Sequence, residues 1–178
     1  MQHGSLRYSK ADEQYVTACL DRCPVGVVGV AARRPTGEPT VIINLPLTPK
    51  DESWQPFPTL YWLVDPDFIA KIANIERKGG VRRIEEALAE DIALRDAHRA
   101  DNDFYAKARW AVLTDAEKQI ADALGMREML EHTGIAGIAN HDAVKCLHAQ
   151  YAFHLARRDE GSTVGKLMED RYGIRLTP

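Results

Sequence analysis

Apolar positions recur along this chain in two periods, and the change from one to the other divides it. From Ser9 to Arg22 (SKADEQYVTACLDR) they fall at Tyr15, Val16, Cys19 and Leu20, one stripe of a short helix that Ser9 can cap and Pro24 can stop. The following run, VGVVGVAARR, is rich in valine and glycine and reads as a buried strand. PTGEP supplies turn chemistry and TVIINLPL a second strand, which predicts a β-hairpin with a loop longer than two residues. TPKDESWQPFPT holds neither period and reads as an irregular surface crossing. TLYWLV, aromatic and β-branched, is the third strand.

Beyond it the period is helical. DPDFIAKIANIERKGG has Asp65 to cap, Pro66 at the first helical position and Asp67 at the positive end of the dipole. Phe68, Ile69, Ile72 and Ile75 form the stripe, and Gly79 and Gly80 end it. Val81 to Val112 is helical almost throughout, with a break near Asp91; Glu85, Glu86, Arg95, Arg99, Asp101 and Asp103 read as a solvated face. TDAEKQIADAL is a further helix with Thr114 and Glu117 as a capping box. A loop containing TGIAGIANHD leads into VKCLHAQYAFHLARR, and a last helix runs from about Ser162 to Tyr172. Early strands followed by helices predict an α+β fold. Its core is a small, mostly antiparallel three-stranded sheet, a hairpin plus one strand, covered by five to six helices.

At 178 residues the whole chain reads as a single domain with room for a real core. Its net charge of −3 gives no electrostatic case for nonspecific nucleic-acid binding. No apolar run is long enough to cross a bilayer, and the first residues lack the apolar core of a secretory signal, so a cytoplasmic protein is expected. The cysteines, Cys19, Cys23 and Cys146, are odd in number, which argues against a disulfide framework. Cys19 and Cys23 lie one helical turn apart and read as packing or helix-end residues.

The densest chemistry lies in VKCLHAQYAFHLARR. If that segment is helical from Val144, Cys146 and His148 stand roughly 160° apart around the axis and cannot grip one ion. The helix is then apolar on two sides, with a polar strip at Gln150, His154 and Arg157, and sits sandwiched in the core. His148 needs a backbone carbonyl or a carboxylate as partner. Cys146 is either a packing residue or a thiol in the first helical turn, where unpaired N–H groups favour negative charge. GSTVGK (161–166) approaches a phosphate loop but is one residue short, and Leu167 replaces the metal-holding hydroxyl; it reads as a loop and cap. Arg33, Arg34, Lys145 and His141 form a phosphate or carboxylate pocket only if the fold gathers them near a helix start. G-x-S-x-G, H-E-x-x-H and the Rossmann fingerprint are absent.

GVVGVAARRPTGEP, PFPTLYWLVDP and VKCLHAQYAFHLA, in that order and spacing, resemble a bacterial family known only as domain of unknown function 501. The resemblance covers roughly Asp21 to Gly165 and leaves the N-terminal and C-terminal helices as extensions. It implies that relatives carry cysteine at the positions of Arg34, often Thr36, and Asp65. With Cys146 those thiols would gather at one metal or cluster where the hairpin end meets two helix starts. Here Cys146 alone of that set is a thiol, so no metal or other cofactor is expected; Cys146, Asp65 and His148 come nearest to a ligand set. Arg34 facing Asp65 would fill the place with an ion pair. The reading is a binding or accessory protein, with a protein or a small anionic ligand as partner and neither membrane nor nucleic acid. Arg34, Lys145 and His141 are its ligand-binding candidates. The alternative is an enzyme on a small anionic or phosphorylated substrate, with Cys146 as nucleophile or Asp65 and His148 as acid–base pair.

Overall fold

The computed structural model describes residues 7–176. Ser9 caps helix α1 (Lys10–Leu20) through a capping box with Asp12, whose carboxylate receives the Ser9 N–H at 2.8 Å. The helix ends four residues before Pro24, because Asp21 takes the left-handed conformation (φ 52°) and closes the last turn onto Thr17. Asp12 also receives both ends of the Arg33 guanidinium, at 2.5 and 2.9 Å, and so fastens α1 to the sheet.

Strands β1 (Val27–Arg33), β2 (Pro39–Asn44) and β5 (Tyr61–Leu63) form one antiparallel sheet in the order β1-β2-β5, with Val41 opposite Leu63 and Ile43 opposite Tyr61. Alternate residues serve opposite faces. Val41, Tyr61 and Leu63 enter the main core, whereas Ile42 and Val64 pack with Val16 of α1 on the other side. The proline-rich crossing is not irregular. It folds into a separate two-stranded ribbon, β3 (Leu47–Lys50) and β4 (Ser53–Pro56), turned at Asp51 (φ 53°). Pro49 and Pro56 are tolerated because, among the described residues, neither strand has a second neighbour to bond. Leu47 anchors the ribbon in a satellite cluster with Leu113, Ala121 and Leu130.

The helices among the described residues are α1, α2 (Pro66–Arg77), α3 (Gly80–Glu90), α4 (Ile92–Val112), α5 (Asp115–Ala123), α6 (Arg127–His132), α7 (Leu147–Ala156) and α8 (Thr163–Tyr172). Seven of these follow β1, where five or six were expected. The break near Asp91 is a full N-cap, with Asp91 accepting from Ala93 and Leu94. The unforeseen α6 has no side-chain cap and only six residues. Asp101 does not belong to a solvated face: it is buried, accepts the Thr163 N–H at 2.7 Å at the start of α8, and pairs with Arg157.

Two features hold the helical layer together. The first is α7, in which every residue but His148 and Ala156 is buried, Gln150 and His154 included. Gly165 of α8 lies so close to it that a Cβ there would overlap the His154 ring. That ring accepts the Ser162 N–H on Nδ1 and gives its Nε2–H to Glu169. The second is Arg109 of α4, which is fully buried and, among the described residues, has no carboxylate partner. Its guanidinium donates to the carbonyls of Pro58, Met129, Leu130, Thr133 and Gly134, closing the end of α6 against the loop before β5. Burial pulls the Arg109 pKa down to about 10.

Candidate functional site

The chain reaches α7 through a loop, residues 133–146, pinned from three helices. Asn102 of α4 accepts the Ile135 N–H at 2.9 Å and donates to the His141 carbonyl at 3.1 Å. His98 donates to the Ala143 carbonyl, and Glu85 of α3 accepts the Val144 N–H at 2.9 Å. Glu76 of α2 accepts the Leu147 N–H at 2.6 Å. The last two bonds come from carboxylates on other helices. They hold Val144 to Cys146 out of the helix, which therefore starts at Leu147.

That start corrects the argument that Cys146 and His148 must diverge. Cys146 is the N-cap residue, in extended conformation (φ −154°, ψ 122°), so its side chain is not bound to the helical 100° step. Its Sγ lies 3.9 Å from His148 Nδ1. Glu76 Oε2 lies 3.2 Å from the same nitrogen. One donor atom from each of Glu76, Cys146 and His148 falls within 4.8 Å of the other two. The ring is oriented from its other side, where Nε2–H donates to the Ile69 carbonyl at 3.1 Å. The His148 pKa is raised from its ordinary value, chiefly by the Cys146 hydrogen bond, with the Ile69 carbonyl and the Glu76 charge adding and burial opposing. The site is open enough to be reached: the His148 and Glu76 side chains are 25% and 27% exposed. His148 also borders a cleft of about 180 Å³ beside Tyr61, Trp62 and Ile69.

Arg34 and Asp65 meet elsewhere. Asp65 is wholly buried and caps α2, accepting from Asp67 and Phe68, while Arg34 grips it with two bonds of 2.6 and 2.7 Å. Arg34 also reaches Asp67 at 2.7 Å, and the two carboxylates hold its pKa well above the ordinary arginine value. Glu76 lies three helical turns along α2, about 16 Å from Asp65 along the axis at ~1.5 Å per residue. The ion pair and the Cys146 cluster therefore occupy opposite ends of α2. Among the described residues no hydrogen bond or ion pair joins them.

Lys145 donates to the Ala136 carbonyl at 3.2 Å, and His141 engages Asp103 on Nδ1 and the His132 carbonyl on Nε2. Both brace the loop before α7, and neither bonds to Arg34. GSTVGK is the entry to α8, where Ser162 caps by accepting the Gly165 N–H. Cys19 and Cys23 are free thiols near the end of α1. Glu76 is the site residue that sequence reasoning missed. Its signal was an acidic side chain in the last turn of α2, where the dipole favours the opposite charge.

The model of a family described as "Protein of unknown function (DUF501)" matches residues 30–170. No curated protein and no solved structure matches the chain. Among the described residues no helix is long and apolar enough to cross a membrane.

Proposed function

The chain belongs to the DUF501 family, and for this member we propose a binding or accessory function centred where α7 begins, with Cys146, His148 and Glu76 as donors to a cationic ligand. One observation carries this reading: the thiol and the carboxylate face the same ring nitrogen, Nδ1, at 3.9 and 3.2 Å. In a nucleophilic thiol–imidazole–acid array the acid grips the nitrogen opposite the nucleophile, so the ring can take a proton on one side while being steadied on the other. Here the opposite nitrogen is spent on a backbone carbonyl, and that geometry supports holding a ligand over attacking one.

An anionic ligand has less support. Arg34 is already claimed by Asp65 and Asp67, Lys145 and His141 are tied to the loop, and the centre itself carries a carboxylate. Three free thiols fit a reducing compartment, and we take the protein to act in the cytoplasm.

Alkylation of the folded protein with iodoacetamide, followed by peptide mapping, tests the reading. Cys146 should label in the native state within about tenfold of the rate at exposed Cys23. Labelling only after unfolding would make Cys146 a packing residue and remove the centre.

A further inference from the structure

We infer that the ligand of this centre is a divalent ion of the zinc class, held by Cys146 Sγ, His148 Nδ1 and Glu76 Oε2 with one coordination place left to solvent. The inference rests on the reading above and names its ligand.

The spacing fits first. Zinc bonds of about 2.0 Å to nitrogen and oxygen and about 2.3 Å to sulfur, at tetrahedral angles, put N and O about 3.3 Å apart and N and S about 3.5 Å apart. The structure has 3.2 Å for the first pair and 3.9 Å for the second. A closing movement of a few tenths of an ångström at the cysteine would meet the second distance, and the sulfur stands within 4.8 Å of the Glu76 carboxylate, which it would also have to approach.

The orientation of each donor fits as well. The bond from His148 Nε2–H to the Ile69 carbonyl occupies that nitrogen and turns Nδ1 toward Cys146 and Glu76, which is how outer partners commonly aim a metal-bound histidine. Glu76 is steadied in the same way. Its Oε1 takes the Leu147 N–H at 2.6 Å and leaves Oε2 turned toward His148. The donors ride on the last turn of α2 and the start of α7, elements packed into one core.

Without an ion, a proton on His148 Nδ1 would lie between Glu76 and Cys146, and a cation would take the place of that proton among the same three donors. When Nδ1 is deprotonated, the carboxylate oxygen at 3.2 Å sets lone pair against lone pair, and a cation between them removes that repulsion. Thiolate, carboxylate and imidazole together offset a charge of +2, and the N-terminal end of α7 favours the negative groups gathered there. One sulfur and one nitrogen among three donors select against magnesium and calcium, which require oxygen shells, and toward zinc and its neighbours. Three protein donors with one open place is the stoichiometry of sites that admit a further small ligand.

The full chain, stripped with a chelator, is titrated with zinc alone against a chromophoric competitor, with circular dichroism to verify folding. One zinc per chain should bind. Cys146→Ser, His148→Gln and Glu76→Gln should each weaken it by on the order of a hundredfold, since even the outer partners of metal ligands cost roughly 10–100-fold. Gln at position 76 keeps an acceptor for the Leu147 N–H, so that variant should fold. Asp65→Asn, Cys19→Ser and Cys23→Ser should bind zinc as the wild type does. Zinc should also slow alkylation of Cys146 and not of Cys23. A folded wild type that takes up no zinc, equal uptake by Cys146→Ser, or zinc that leaves Cys146 labelling unchanged overturns the inference. A Cys146 that labels in the native state of a protein taking no zinc refutes the ion alone; a Cys146 closed to the reagent refutes the centre as well.

Discussion

Replacing Arg34 by methionine should cost far more than neutralising the carboxylate it grips. Asp65 is fully buried, whereas Arg34 is 33% exposed and has Asp67 as a second partner. Arg34→Met removes three charge-assisted bonds, two to Asp65 and one to the exposed Asp67, and leaves a buried carboxylate. Breaking a buried pair from one side costs roughly 3–5 kcal/mol. Two terms reduce that here: the guanidinium is partly solvated, and Asp65 keeps the Asp67 and Phe68 N–H groups and the positive end of α2. A loss of about 2–3 kcal/mol results, which for a chain of this size lowers Tm by roughly 5–10 °C. Asp65→Asn keeps a good helix cap and strands only an arginine that can turn to Asp67 and water, so it should cost about 1 kcal/mol. The double variant, Arg34→Met with Asp65→Asn, should recover most of what Arg34→Met alone loses, because no buried charge is then unpaired. Thermal and urea denaturation of the four proteins measures the cycle. A Tm for Arg34→Met equal to wild type, or a double variant no better than Arg34→Met, refutes the reasoning.

Arg109→Met should destabilise by about 3 kcal/mol or more, since five backbone carbonyls lose a common buried donor; the urea midpoint reports it. Gly165→Ala should cost about 1–2 kcal/mol despite the better helix propensity of alanine, because the His154 ring it meets is held on both nitrogens and cannot swing away; a stabilised variant would contradict that packing. The Arg33 guanidinium, more than any other neighbour, holds the Asp12 carboxyl below the usual carboxylate range, so their contribution to stability is complete above about pH 4 and fades as pH falls further. The stability gap between wild type and Arg33→Met should accordingly be flat near neutrality and shrink in acid, as denaturant titrations at several pH values would show.

Most of the fold was legible because its punctuation is local. Ser9, Asp65, Asp91, Thr114 and Ser162 each accept a backbone N–H two or three residues ahead, a bond that sequence spacing alone encodes. The ribbon β3–β4 escaped because its prolines argue against pairing, and only the packing of Leu47 against α4 to α6 makes the pairing worthwhile. Helix α6 escaped for want of a cap, since the groups that close it belong to Arg109 in another helix. The site was half legible. Cys146 and His148 stand out in the sequence, yet their meeting depends on where α7 starts. That point is set by Glu76 and Glu85, 71 and 59 residues away from the N–H groups they accept. Asp101 was misread for the same reason, its partners lying on α8 and at Arg157.

Cobalt(II), a spectroscopically visible substitute for zinc, puts the central claim to its most direct test: that thiolate, imidazole and carboxylate meet at one ion. Loading the stripped protein with one equivalent should produce the near-ultraviolet sulfur-to-cobalt charge-transfer absorption together with the intense visible bands of a four-coordinate ion, lost in Cys146→Ser and retained in Cys19→Ser and Cys23→Ser. Cobalt bound without the sulfur band, or a band that survives Cys146→Ser, would contradict the account.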